Sequence, residues 1–195
     1  MKLLLYCVKA KPYLSLVGKY DSGKNYYEAI NDATIFDDKL NGKIVAECDF
    51  EVEEIEYYKD YNGWLWYSTK SLWENRLLCL SCLSANDIEN YLGDTGGYAI
   101  HIKNLHIFDK PKELNEVYKI ENIGGMLFTK QLTNAPQNMM RVSVNHWDYA
   151  TCEPKDINVL ISIKPEWLCK ILNGEKFVEV RKKVLKEMIT SGNNQ

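Results

Sequence analysis

The segment from Val159 to Arg181 constrains the fold of this chain more than any other part of the sequence. Val159 to Ile163 is an apolar run rich in β-branched residues, which predicts a buried strand. Pro165 has its φ fixed near the helical value and lacks an N–H that a first turn leaves unpaired anyway, so a helix is predicted to begin there. Gly174 is suited to the left-handed residue that ends many helices. A strand–helix–strand unit so late in the sequence needs earlier residues to bury its apolar faces.

The second strand of this unit carries charged residues on one face. From Phe177 onward the side chains alternate, so Glu179 and Arg181 share a face, with Lys176 at the entrance to the strand. Together with Lys164 these residues are candidate ligand-binding groups, because Arg can hold a phosphate and Glu can accept a hydrogen bond from an exocyclic amine. The alternatives are exposed lysines at element ends and a simple surface ion pair.

The segment resembles the opening unit of the ASCH domain, a PUA-like β-barrel, which runs strand, Lys-Pro, helix and Gly-x-Lys-x-x-Glu-x-Arg. The matching residues here are Lys164-Pro165 followed by Gly174, Lys176, Glu179 and Arg181. Further blocks resemble later parts of the family, and they are residues 3–12, residues 42–55, residues 97–111 and the turn Ala135-Pro-Gln-Asn138. The resemblance implies an α+β fold, a PUA-like mixed β-barrel with short flanking helices.

The order of the blocks differs from the family pattern, because the opening unit comes last. We interpret this order as a circular permutation, in which the N- and C-terminal segments complete one barrel, tethered through residues 143–158. The prediction is one domain over residues 1–189, with 159–183 as the permuted unit and a disordered tail at 190–195. The alternatives are a truncated second copy of the domain and a unit that docks onto a neighbouring molecule.

Composition excludes several classes of protein. The 195 residues suit one substantial core, and no apolar run approaches the length of a membrane span, which points to the cytoplasm. A net charge of −3 disfavours a strongly basic nucleic-acid binder. Six cysteines in a chain of this length do not indicate a disulfide framework, and Cys7, Cys48 and Cys169 are predicted core thiols. The pair Cys79 and Cys82 with only three histidines does not make a zinc site, so no metal and no cofactor are predicted.

Two other patterns bear on function. Glu47, Asp49, Glu51 and Glu53 alternate with apolar residues, which predicts a half-buried strand whose acidic face would suit a basic partner. A dense aromatic group could stack on bases or close a small core; it comprises Tyr57, Tyr58, Tyr61, Trp64, Trp66, Tyr67 and Trp73.

The remaining local signals are brief. Asn62-Gly63 predicts a hairpin turn, and residues 84–92 predict a short helix that starts with a capping box. Residues 13–41 are predicted to be a mobile excursion, and residues 119–134 a loop or short hairpin. The histidines of the strand predicted at 98–108, His101 and His106, are assigned structural roles.

The resemblance implies a binding module that holds RNA, a nucleotide or a modified nucleoside in a cleft, where Gln137 and Asn138 could also bond a base edge. An enzyme is the alternative, because one branch of the family resembles an amidohydrolase of acetylated cytidine and other members are nucleases. Lys176 matches the lysine of that branch, but Glu179 stands where the branch has threonine, so Lys176 and Glu179 are the catalytic candidates through activated water. A third class is a phage or mobile-element protein that blocks a host partner.

Overall fold

The computed structural model describes residues 1–9, 40–148 and 157–191, and within them the fold is α+β with a nine-stranded sheet and a few short helices. The strands are β1 (Leu3–Cys7), β2 (Lys43–Lys59), β3 (Leu65–Ser68), β4 (Gly97–Glu113), β5 (Tyr118–Ile123), β6 (Met126–Gln131), β7 (Met139–Ser143), β8 (Ile157–Ile163) and β9 (Val178–Arg181). The helices are α1 (Glu74–Ser81), α2 (Ala85–Leu92), α3 (Pro165–Leu172) and α4 (Lys186–Ser191), with 3-10 turns at Gly93–Thr95 and Leu114–Glu116. Hydrogen bonds order the strands β6-β5-β7-β8-β1-β2-β4-β9, and β3 pairs with β2. Most of the excursion predicted at 13–41 lies outside the described residues.

The chain forms two compact units, and strands β2 and β4 each contribute residues to both. Unit 1 comprises Met1–Glu47 and His106–Leu172, and unit 2 comprises Cys48–Leu105 and Asn173–Gln195. Each unit has its own apolar cluster.

In unit 1 the first strand of the chain lies beside a strand from near its end. Strand β1 pairs with β8 in parallel, with Leu3 opposite Val159 and Cys7 opposite Ile163. Strand β8 pairs on its other side with β7, antiparallel. The strand predicted at 159–163 is therefore confirmed, although it begins two residues earlier. It pairs with the N-terminal strand of the same molecule. This pairing buries an apolar cluster composed of Leu4, Tyr6, Ile44, Val117, Leu132, Val142 and Leu160.

The predicted helix and its stop are also confirmed. Helix α3 begins at Pro165 and buries Leu168 and Ile171. Gly174 follows it with φ at +71°, a conformation that side chains with a Cβ rarely adopt. The hairpin predicted as one choice for residues 119–134 forms from β5 and β6.

Unit 2 is built from the later half of β2, the hairpin strand β3, the first half of β4, β9 and the helices α1 and α2. Strand β9 pairs antiparallel with β4, with Tyr98 opposite Arg181 and Ile100 opposite Glu179. The side chain of Ser84 accepts a hydrogen bond from the Asp87 N–H, and the Asp87 carboxylate accepts one from the Ser84 N–H, which confirms the capping box. Strands and helices share an apolar cluster formed by Ile55, Tyr67, Leu77, Ile88, Leu92, Ala99, Val178 and Val180.

None of the helices in the described ranges has the length and apolar character that crossing a membrane requires.

Candidate ligand-binding site

Unit 1 contains a cavity of about 790 Å³ beside the turn that precedes β7. That volume falls within the range of small-molecule sites in proteins, roughly 300–1,000 Å³. The cavity is lined by Tyr6, Val8, Lys9, Gly42, Glu113, Leu114, Asn115, Gln131, Leu132, Thr133, Asn134, Ala135, Pro136, Gln137 and Ser162. Both apolar and polar residues line it, a combination in which the polar groups can orient a ligand.

The wall that carries Gln137 is fixed by one buried serine of strand β8. The Ser162 hydroxyl donates to the Pro136 carbonyl at 2.6 Å, and the Ser162 N–H donates to the Asn138 carbonyl at 2.9 Å. Because Ser162 lies in the buried part of the sheet, these two hydrogen bonds attach the turn to a rigid strand. Gln137 is exposed at the cavity while the residues on either side of it are held.

Four neutral amides contribute to the polar lining. Asn115, Gln131, Asn134 and Gln137 all reach the cavity, and the Gln131 side-chain N–H donates to the Asn115 main-chain carbonyl at 3.0 Å. An amide offers a donor and an acceptor side by side, which matches the edge of a nucleobase. The amides can therefore read a base edge through neutral donors and acceptors.

A tyrosine and a lysine complete the chemistry of the cavity. Burial, with a smaller contribution from Cys7, raises the pKa of Tyr6 above its ordinary value, so its hydroxyl keeps its proton and can donate a hydrogen bond. Lys9 is exposed and also lines the cavity, where its ammonium can meet an anionic group. Glu113 also lines the cavity, but its carboxylate is paired with the Lys43 ammonium at 2.7 Å.

Three charged residues near the C-terminus, Lys176, Glu179 and Arg181, form a second polar group, in unit 2. Lys176 is 3% exposed, and its ammonium donates to the Ser81 carbonyl at 2.5 Å and lies 3.4 Å from a Glu179 oxygen. Glu179 is 7% exposed, and its other oxygen lies 2.9 Å from the Arg181 Nε. Ser81 is the last residue of α1, so Lys176 places its cation at the negative end of that helix.

The environment of Lys176 perturbs its titration. Burial lowers the pKa of Lys176, because a charged ammonium loses its hydration there. The carboxylate of Glu179 opposes this effect by favouring the charged form. The contact between Lys176 and Ser81 joins the end of α1 to the segment that enters strand β9. A main-chain hydrogen bond lies beside it, in which the Phe177 N–H donates to the Leu80 carbonyl at 2.8 Å.

The structure thus places the predicted site residues in both units. In unit 1, Gln137 lines the cavity, Asn138 follows it in the held turn, and the Lys164 side chain is 72% exposed with its ammonium 4.0 Å from Glu166. In unit 2, Lys176, Glu179 and Arg181 lie together. The ligand-binding role of these residues and the catalytic role of Lys176 and Glu179 stay predictions.

The aromatic group is mostly exposed, and two of the histidines contact glutamates. Tyr67 is buried in the apolar cluster of unit 2, whereas the other six aromatic residues of the group are exposed. The ring of His101 lies 3.2 Å from a Glu53 oxygen, and that of His106 lies 3.8 Å from Glu47. The thiols of Cys7, Cys48 and Cys169 are buried, as predicted.

Most of the cavity residues were not singled out by sequence reasoning. Gln131 and Asn134 are ordinary polar residues in the same short segment as Gln137, and Asn115 joins them from the 3-10 turn at Leu114–Glu116. The one local signal was the turn at Ala135–Asn138, which pointed to Gln137. Tyr6 and Lys9 belong to residues 3–12, whose pattern indicates only a strand followed by Lys-Pro.

Comparisons of the chain with models of protein families, with curated proteins and with solved structures gave no match. Across the described ranges, histidine, cysteine, aspartate and glutamate form no group of three or more that could hold a metal ion.

Proposed function

We propose that this protein is a nucleotide- or nucleoside-binding module that takes a base, or a modified base, into the cavity of unit 1. The observation that supports the proposal most is the convergence of amide side chains with Gln137 on a turn fixed by Ser162. The same turn carries part of the ASCH resemblance. We therefore propose an ASCH-type, PUA-like fold in circularly permuted order, acting in the cytoplasm.

The lining suggests how the ligand lies in the cavity. The base edge would meet Gln137 and Asn115, which can each offer a donor and an acceptor. Leu114 and Pro136 would contact the faces of the base, and Tyr6 would donate a hydrogen bond to an exocyclic carbonyl. Lys9 would meet a 5′-phosphate, so a mononucleotide should bind more tightly than its nucleoside.

The size and charge of the site limit the extent of the ligand. A cavity of about 790 Å³ accommodates one nucleotide, and a chain with a net charge of −3 attracts a long phosphate backbone only weakly. RNA would therefore be recognised through a single unpaired nucleotide rather than along a duplex.

Calorimetric titration tests the proposal. Cytidine, acetylcytidine, adenosine, guanosine, uridine and their 5′-monophosphates are titrated into the wild-type protein, followed by a short single-stranded RNA. We expect Gln137→Ala to reduce the affinity for the best ligand about tenfold, because one good hydrogen bond to a base edge is lost. Asn90→Ala is the control, because Asn90 is an exposed amide on α2 in unit 2. No binding by the wild type, or equal binding by the Gln137 variant, would refute the proposal.

A second pair of variants separates base from phosphate recognition. Lys9→Ala should reduce the preference for the monophosphate over the nucleoside and leave nucleoside binding unchanged. Lys59→Ala is the matched control, since Lys59 is an exposed lysine of unit 2. Analysis of the acetylcytidine samples for free cytidine tests the enzymatic alternative, in which Lys176→Ala would abolish turnover.

A further inference from the structure

The β2–β3 hairpin of unit 2 exposes a face that combines aromatic rings with carboxylates. In the antiparallel register Tyr58 lies opposite Trp66 and Glu56 lies opposite Ser68. Because side chains alternate along a strand, Glu54, Glu56 and Tyr58 of β2 share one face with Trp66 of β3. We call these four residues the hairpin face. The rings of Tyr58 and Trp66 stack with centroids 6.2 Å apart and planes 9° from parallel.

The opposite face of the same hairpin already serves the core of unit 2. Ile55 and Tyr67 point to that side and are buried in the apolar cluster. Tyr58 is 56% exposed and Trp66 is 40% exposed, so the stacked pair adds apolar surface that the described part of unit 2 does not cover. Exposed rings of this kind offer π-faces that a cation can approach.

The charge beside the stacked pair is negative. A groove of about 630 Å³ is lined by Glu51, Val52, Glu53, Glu54, Glu56, Thr69 and Lys70, so four carboxylates face a single ammonium. Two of these carboxylates have partners. Glu51 is paired with Lys103 at 2.5 Å, and Glu53 accepts hydrogen bonds from Thr69 and Ser71 and contacts His101.

The other two carboxylates belong to the hairpin face. Glu54 and Glu56 are both exposed, and neither forms an ion pair with any residue in the described ranges. Two neighbouring like charges that no ion pair neutralises favour the arrival of a cation. The aromatic pair lies directly beside them, at the next positions along the same face.

We propose that the hairpin face binds a basic segment of a partner protein. An arginine or lysine of that segment lies on the stacked rings of Tyr58 and Trp66, whose π-faces attract a cation. Its charged head, or that of the next basic residue, pairs with Glu54 and Glu56 through charge-assisted hydrogen bonds. Exposed aromatics could also stack on nucleobases, but the carboxylates of the groove repel a phosphate backbone, so the observations favour a protein.

The test uses the full chain and a labelled short peptide of alternating arginine and glycine. The comparison probes are a glutamate–glycine peptide and an oligouridine of the same length. We expect the arginine peptide alone to bind, with an affinity that falls as salt is raised. Glu54→Gln combined with Glu56→Gln should weaken binding of the arginine peptide about tenfold. Tyr58→Ala combined with Trp66→Ala should weaken it by a similar factor.

A matched double variant separates specific binding from general attraction. Glu89→Gln with Glu175→Gln removes the same charge from exposed positions of unit 2 that do not belong to the hairpin face, and it should keep wild-type affinity. Equal weakening by both double variants would overturn the proposal, because any acidic surface would then serve. Circular dichroism of each variant establishes that it is folded before its affinity is compared.

Indole N–H resonances give a second measurement that does not depend on variants of the face. The chain has five tryptophans, and Trp66→Phe assigns the signal of Trp66. The arginine peptide should shift that signal and leave those of Trp147 and Trp167, which belong to unit 1, in place. Uniform small shifts, binding of the oligouridine instead, or self-association through the hairpin on dilution analysis would each refute the assignment to a basic protein segment.

Discussion

The cavity of unit 1 and the buried ionic group of unit 2 are both rich in polar side chains, but they use them in opposite ways. In the cavity, Gln137 is exposed on a turn whose neighbours are hydrogen bonded to the sheet. In the ionic group, Lys176 and Glu179 are almost fully buried and directed at each other and at a main-chain carbonyl. Polar groups that the protein satisfies internally stabilise the fold, whereas those displayed on a held turn remain available to a ligand.

This difference follows from the cost of desolvation. Burying an ammonium and a carboxylate costs several kcal/mol each, and the cost is offset only if every charge finds good partners. Lys176 has the carbonyl end of α1 and Glu179, and Glu179 also has Arg181. An exposed amide such as Gln137 pays little of this cost, so its removal should hardly affect folding.

The largest effect is expected for Lys176→Ala. The substitution leaves Glu179 buried with Arg181 but without the ammonium, and removes the cation at the end of α1. We expect the free energy of unfolding, measured in urea, to fall by about 3 kcal/mol, the lower end for a broken buried pair because Arg181 still contacts Glu179. Lys164→Ala is the matched control from the same motif, and its exposed side chain should change stability by less than about 0.5 kcal/mol. Similar small losses of unfolding free energy in both variants would contradict a stabilising role for the buried ionic group.

The pH dependence of stability is a second test of the burial of Lys176. Burial lowers the pKa of Lys176 below its ordinary value of 10.5, and Glu179 opposes this in part. Between the lowered value and 10.5 the unfolded chain binds more protons than the folded protein, so this residue makes stability rise with pH in that window. Burial acts in the opposite direction on Cys7, whose pKa it raises to about 12.

The comparison that isolates Lys176 is therefore between the wild type and Lys176→Met, which share every other titrating group. As the pH is raised towards 10.5, urea unfolding should show the wild type gaining stability relative to the variant. A constant difference across the alkaline range would show that the lysine titrates normally and is not buried in solution.

Much of the fold could be predicted because its signals are local. The apolar run ending at Ile163, the proline at the helix start and the glycine at its end each fix one backbone feature within a few residues. The same holds for the capping box at Ser84. The parallel pairing of β1 with β8 is a contact across almost the whole chain, and only the resemblance to a rearranged family suggested it.

The sites were harder to predict for two physical reasons. The segment 131–137 lines one part of the cavity, but the rest of the lining comes from residues far away in the sequence, so no single window contains the whole site. The burial of Lys176 runs against the usual exposure of lysine at the end of an element. Its partner, the Ser81 carbonyl, is a main-chain group far away in the sequence and leaves no signature there.

An intermediate effect is expected for Ser162→Ala. The buried hydroxyl is the donor to the Pro136 carbonyl, and its loss should cost about 1–3 kcal/mol of unfolding free energy. Because the turn is then less firmly held, nucleotide affinity should also fall. Ser71→Ala is the control, since Ser71 donates to Glu53 in unit 2 and its loss should leave nucleotide affinity unchanged. Unchanged affinity in the Ser162 variant would mean that the turn does not need this anchor.

The smallest effect on stability is expected for Gln137→Ala. This variant tests the cavity of unit 1, as Lys176→Ala tests the ionic group of unit 2. The side chain is exposed, and the turn is held by main-chain groups and Ser162 rather than by the Gln137 amide. The free energy of unfolding should stay within about 0.5 kcal/mol of the wild type, while nucleotide affinity falls. Urea unfolding and calorimetry on the same preparation check both halves. A loss of stability like that of the Ser162 variant would show that Gln137 is a structural residue, and the cavity would then have no side chain reserved for a ligand on that wall.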